Sequence, residues 1–168
     1  MNENCWLPEL MVQSDYEDWQ HYYDAVYGIF HSDFIEDHPY FESKKVVIRK
    51  YPIEHGREDA FFHVTCQDYY HQNDRAPDFR RCERIRWVRK FIENYNCDPS
   101  LCEDCEGVKI WAEPYHSTER VHLLLEEERY LVVLERRRDY ILLITAYYVD
   151  QDHSLDKLVR RWMKNRAS

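Results

Sequence analysis

Residues 108–149 read VKIWAEPYHSTERVHLLLEEERYLVVLERRRDYILLITAYYV. Apolar and β-branched residues gather there in four runs, at 108–113, 120–126, 130–135 and 139–149, and such residues favour strands. Short polar connections between runs join antiparallel neighbours. The last run is apolar on both faces and belongs in the middle of a sheet. Upstream, 45–51 (KVVIRKY) reads as a strand closed by Pro52, and His55-Gly56-Arg57 as a turn. The stretch 60–66 (AFFHVTC) reads as a second strand whose period of two puts Phe61, His63 and Thr65 on one face. A polar loop covers 67–77.

Three helices flank these strands. Ser14 or Asp15 starts the first, over 15–31, where Tyr16, Trp19, Tyr23, Val26, Tyr27 and Phe30 recur at helical spacing. Asp78 caps the second, to about Asn94, with Ile85, Val88 and Ile92 inward. Ser154 caps the third, to about Lys164, with Asp156 in its first turn and Leu155, Leu158 and Trp162 inward. Strands that run together instead of alternating with helices define an α+β class. The expectation is an antiparallel sheet of about four to six strands with N-terminal, central and C-terminal helices packed on it. One domain spans 1–168, with 1–44 as an acidic helical extension and 45–168 as the core.

Composition narrows the function classes. The 168 residues are 44% apolar, as in a globular chain, and hold only three glycines. With no G-x-x-x-x-G-K-[ST], G-x-G-x-x-G, H-E-x-x-H or G-x-S-x-G pattern, NTPase, dinucleotide oxidoreductase and α/β-hydrolase readings rank low. No apolar run approaches the ~20 residues that span a bilayer, so no membrane partner is expected. The start MNEN opens no basic-then-apolar leader, which points to a reducing, cytoplasmic setting. The net charge of −9 is concentrated in residues 1–45, where ten acids face only Lys44 and Lys45. Between Arg75 and Asn96, seven bases face three acids, enough local positive charge to hold phosphate.

Four constellations can carry chemistry. Cys97, Cys102 and Cys105 form C-x4-C-x2-C, the donor set of a structural Zn site whose fourth ligand comes from Cys5, Cys66, Cys82, His71 or His116. The plain alternative is three thiols in a polar loop. His63 and Thr65 bring an imidazole that moves protons near neutral pH and a hydroxyl for a phosphate oxygen; His122 is a similar case, and either can instead be a satisfied strand histidine. Arg80 and Arg84, at i, i+4, and Arg81 and Arg84, at i, i+3, suit bidentate clamping of phosphate; the plain alternative is pairing of Arg80 or Arg86 with Glu83 in the helix. Thr145 and Tyr147 point one way from the last strand and Tyr148 the other, as a rim for a base or as packing.

The residues FHVT at 62–65, the pattern PDxRRxERIxW at 77–87, RVHLLLE at 120–126, YLVVL at 130–134 and YILLITAY at 140–147 together resemble phage- and prophage-associated nucleases of the barnase–EndoU–colicin–RelE-like superfamily. The resemblance covers about 46–165. It implies a small metal-independent ribonuclease, toxin-like or a phage-conflict effector, that cleaves RNA through its own 2′-hydroxyl. It implies His63 as general acid/base, Arg80 and Arg84 on the phosphate, and Thr65, Thr145 and Tyr147 as orienting groups. The constellations add Thr65, Arg81, His122 and Tyr148 as candidates for holding substrate. No cofactor is required for that chemistry; RNA is the expected partner, with an antitoxin or other protein as a second. The competing readings are a non-catalytic adaptor that meets a host protein through the acidic, aromatic helix 15–31, and a Zn-stabilised binding module.

Overall fold

A computed structural model describes residues 5–68, 75–101 and 106–166. Its helices are α1 (Trp19–His31), α2 (Asp59–Thr65), α3 (Phe79–Glu83), α4 (Ile85–Glu93) and α5 (Asp152–Asn165). Its strands are β1 (Tyr40–Phe41), β2 (Lys44–Val47), β3 (Cys66–Asp68), β4 (Arg75–Pro77), β5 (Lys109–Tyr115), β6 (Thr118–Leu125), β7 (Tyr130–Arg136) and β8 (Ile141–Tyr148). The expected α+β class holds: a six-stranded, mostly antiparallel sheet in the order β1-β2-β8-β7-β6-β5, with helices on both sides. Strands β5 to β8 form the meander read from 108–149, and each pairs antiparallel with the next. The exception is β2, parallel to β8 and paired with it only at Ile141 and Leu142.

Each face of the sheet buries its own core. On one, Val121, Leu123, Val132, Leu134, Leu143 and Ala146 meet Val26 and Phe30 of α1 and Val88, Phe91 and Ile92 of α4. On the other, Leu124, Leu131 and Val133 meet Leu158 of α5. Alternate residues of each strand therefore bury in opposite directions, and the meander can be apolar throughout. Residues of the acidic N-terminal stretch, including Leu7, Met11, Tyr22, Phe34 and Phe41, belong to the larger core. The segment before α1 is pinned there by hydrogen bonds from Tyr22 Oη to Met11 O (2.7 Å) and from Trp87 Nε1 to Pro8 O (2.9 Å).

Four expectations need correction. The stretch 60–66 is not one strand: 60–65 belong to the helix α2, and only Cys66 lies in a strand, β3. Six of the seven residues of α2 are buried, so the sequence shows no apolar stripe from which a helical period can be read. Its first amides are satisfied by the preceding segment, Asp59 N donating to Lys50 O and Ala60 N to Arg49 O. The helix expected over 78–94 breaks at Arg84 (φ −106°, ψ 19°), although Asp78 does cap it, accepting from Arg81 N at 3.1 Å. The first helix starts at Trp19, capped by Asp18, which accepts from His21 N, and not at Ser14 or Asp15. The last starts at Asp152 after Gln151, which makes no side-chain cap, so Ser154 lies inside its first turn.

Candidate functional site

The C-terminus of α2 organises the candidate site. A helix end leaves backbone carbonyls without partners, and here side chains from other elements supply them. Thr145 Oγ1 of β8 donates to His63 O at 2.8 Å. Arg81 of α3 donates to Cys66 O at 2.6 Å and to His63 O at 3.3 Å. A guanidinium at that end also suits the negative pole of the helix dipole. These bonds draw α2, α3 and β8 around a cavity of about 270 Å³ lined by Phe62, His63, Cys66, Arg75, Arg81, Ile144, Thr145 and Tyr147. The register between β7 and β8 shifts by one residue at Val133 and Leu134, which leaves Ile144 as an extra residue in β8. This bulge turns both Ile144 and Thr145 to the cavity, a way in which bulges re-aim side chains beside sites.

His63 is half-buried at the cavity wall. One helical turn earlier, Asp59 is almost fully buried, with 4% of its side chain exposed. Its Oδ2 lies 3.1 Å from His63 Nε2, and its Oδ1 accepts from Arg75 at 2.6 Å. A carboxylate on Nε2 favours the proton there and leaves Nδ1 with the lone pair. Arg75 also lies over the Phe62 ring (5.5 Å), and Arg81 over the Tyr147 ring (5.3 Å). Burial pushes the Tyr147 phenol above its ordinary range and so keeps it protonated. An imidazole, two guanidiniums, a hydroxyl and a phenol therefore converge on one polar cavity.

Of the residues singled out from sequence, His63, Arg81, Thr145 and Tyr147 come together. Thr65 does not join them: it is fully buried, and its Oγ1 donates to Phe61 O within its own helix. Arg80 and Arg84 do share a face, but they stack on Tyr148 at 4.4 and 4.6 Å on the other side of β8, and Arg80 pairs with Asp150. Arg81, over Tyr147, and Arg84, over Tyr148, therefore face opposite sides of β8. His122 lies farther along the sheet, stacked on Trp111 (4.8 Å, 5°) and 3.2 Å from Arg161. Burial first, and then the Arg161 charge, lower its pKa from 6.5 to about 4, so it is neutral near pH 7. Sequence reasoning missed Asp59, and took Arg75 only as one of the seven bases of the positive stretch 75–96. The i, i+4 spacing of Asp59 and His63 is the signal that finds Asp59, but it speaks only once 59–65 is read as a helix.

Cys102, Cys105 and His71 lie outside the described residues. Cys97 is half-exposed, and Cys82 is buried with its thiol directed to Thr65 O (3.8 Å). Among the described residues no cluster of three or more His, Cys, Asp or Glu is arranged to hold a metal ion. No described helix is long and apolar enough to cross a membrane. Compared with known protein families, curated proteins and solved structures, the chain matches none.

Proposed function

We propose that the protein is a metal-independent endoribonuclease that cleaves RNA by attack of the 2′-hydroxyl on the adjacent phosphate. The observation that carries this reading is the Asp59–His63 pair at a cavity also walled by Arg75 and Arg81. In the step, His63 Nδ1 takes the proton of the 2′-hydroxyl and the 2′-oxygen bonds to phosphorus. The bond from phosphorus to the 5′-oxygen breaks, and that oxygen takes a proton from the Tyr147 phenol. The products are a 2′,3′-cyclic phosphate and a 5′-hydroxyl, after which the His63 proton returns to Tyr147 through water. Arg81, held by two backbone carbonyls, and Arg75, held by Asp59, meet the charge that grows on the phosphoryl oxygens without having to reorganise. Asp59 acts through His63 as a positioning residue.

The test is cleavage of a mixed-sequence RNA by pure protein in EDTA. Cyclic phosphate ends are expected. His63→Ala is expected to lower the rate by about 10²–10⁴-fold with the fold intact by circular dichroism, the range general acid–base catalysis supplies. Asp59→Asn is expected to lower kcat with little change in KM and to alter the pH–rate profile. Full activity in folded His63→Ala, or no cleavage by the folded wild type, overturns the reading.

A further inference from the structure

Cys66 closes the C-terminus of α2 and has no part in the cleavage step. It lines the cavity that His63 and Arg81 line, and also a second cavity of about 450 Å³ that shares Phe62 and Arg75 with the first. Only 5% of the residue is exposed, yet both cavities reach it. Its Sγ lies 3.5 Å from Tyr23 Oη and 3.6 Å from Thr65 Oγ1.

A second thiol stands on the other side of Thr65. Cys82 of α3 is fully buried and directs its thiol at Thr65 O (3.8 Å). The same oxygen accepts from Asp78 N (2.8 Å), and Cys82 N donates to Asp78 O (2.9 Å). The first turn of α3 is thus built onto the peptide that joins Thr65 to Cys66. A trans peptide holds that oxygen on the same side as the next Cα, so the Cys82 sulfur is seated beside Cys66 itself. The two thiols are unlike in reactivity. It is the thiolate that attacks an oxidant. Burial first, and then the nearness of Cys66, push the Cys82 thiol well above its ordinary range. Cys66, which two cavities reach, is therefore the one that meets a solute first.

We propose that Cys66 is an oxidation site and Cys82 its resolving partner, so that hydrogen peroxide ties α2 to α3 through a reversible disulfide. In the first step the Cys66 sulfur attacks one peroxide oxygen. The O–O bond breaks, an S–O bond forms, and the other oxygen leaves as water with the thiol proton. The sulfur loses two electrons to the peroxide and becomes a sulfenic acid. In the second step the Cys82 sulfur attacks that sulfur, the S–O bond breaks, and the hydroxyl leaves as water with the Cys82 proton. Rotation of Cys66 about its Cα–Cβ bond takes Sγ off Tyr23 and toward Cys82. The link then withdraws the thiol from the wall of both cavities. It also binds Cys66, whose carbonyl Arg81 holds, to the residue next to Arg81.

The experiment reads the thiols themselves, so it stands or falls separately from the ribonuclease reading. The reduced full chain is treated with hydrogen peroxide, sampled over time, alkylated in denaturant and mapped by peptide mass, with and without a cyclic 1,3-diketone that traps sulfenic acid. The expected result is the loss of two alkylatable thiols per chain and a peptide pair joined through Cys66 and Cys82, which dithiothreitol separates again. The diketone adduct on Cys66 should appear before the link, because the buried Cys82 thiol reacts slowly. In Cys82→Ala the adduct should persist and the link should be absent; the wild-type map decides the matter even where this variant fails to fold. A Cys66 that stays alkylatable while free glutathione in the same tube is oxidised overturns the oxidation site. Oxidation of Cys66 that ends in sulfinic acid, or in a link to any other cysteine, overturns Cys82 as its partner.

Discussion

At the scale of single residues, two titrating groups set opposite acid responses. His122 has a folded pKa of about 4 against an ordinary 6.5, because burial and Arg161 oppose its charge. Above pH 6.5 it is neutral folded or unfolded and contributes nothing to the pH dependence. Between about 6.5 and 4 the unfolded chain binds a proton that the fold refuses, so stability falls on acidification. Asp33 runs the other way: burial raises its carboxyl to about 6, so its ionised form is disfavoured in the fold and it adds stability as pH falls from about 6 to 4. His122→Phe keeps an aromatic ring on Trp111 and removes the titration. Its Tm should therefore drop less than that of wild type between pH 7 and pH 4.5, as read by thermal unfolding at the two values. An equal drop in both proteins removes His122 from the account.

At the scale of elements, the meander is legible in the sequence because each of its runs is bounded by polar turns and rich in β-branched residues. The helix α2 is not legible, because a short helix buried on nearly every side presents neither a period of 3.6 nor one of 2. Its aromatic and β-branched residues then favour a strand by propensity alone, and tertiary burial overrides that preference. The same reason explains the site. His63, Arg81, Thr145 and Tyr147 are visible as residue types, while Asp59 stays hidden as long as 60–66 is a strand that begins after it. Arg75 sits in what reads as a polar loop and gains its place through the β3–β4 pairing, opposite Asp68, and through Asp59. The cap at Asp78 is legible and also bears on the site, because Arg81 is the residue whose amide it accepts. Asp78→Ala should cost about 1 kcal/mol in denaturant unfolding. If the proposed ribonuclease reading holds, it should also weaken RNA cleavage by loosening Arg81; unchanged stability removes the cap from the account of α3.

At the scale of the whole molecule, the charge asymmetry of the chain is partly folded away. Asp24 pairs with Arg57, Asp37 with Arg89 and Glu42 with Arg136, so acids of the first 45 residues face arginines of the later ones. Such pairs on a surface contribute little stability each; the apolar residues of the same segment, buried with α4 and the sheet, hold it. The two cores differ in extent, and the smaller lies between α5 and the sheet. Leu158→Ala, in that smaller core, should cost about 2–5 kcal/mol. It should speed hydrogen exchange in α5 while the amides of β6 and β7 stay protected, since local units open separately. Uniform exchange across both regions would show that the two faces unfold as one.

Because β2 pairs with β8 only at Ile141 and Leu142, the rest of that flank of β8 meets a helix instead of a strand. The helix is α2, tied there through Thr145. A strand flank left open is a template on which other chains can add themselves and aggregate. The helix that carries His63 thus also covers that flank of β8 against such additions. Substitutions that unseat α2 should lower solubility and, on the proposed ribonuclease reading, activity with it; a soluble inactive variant of His63 is informative for that reason.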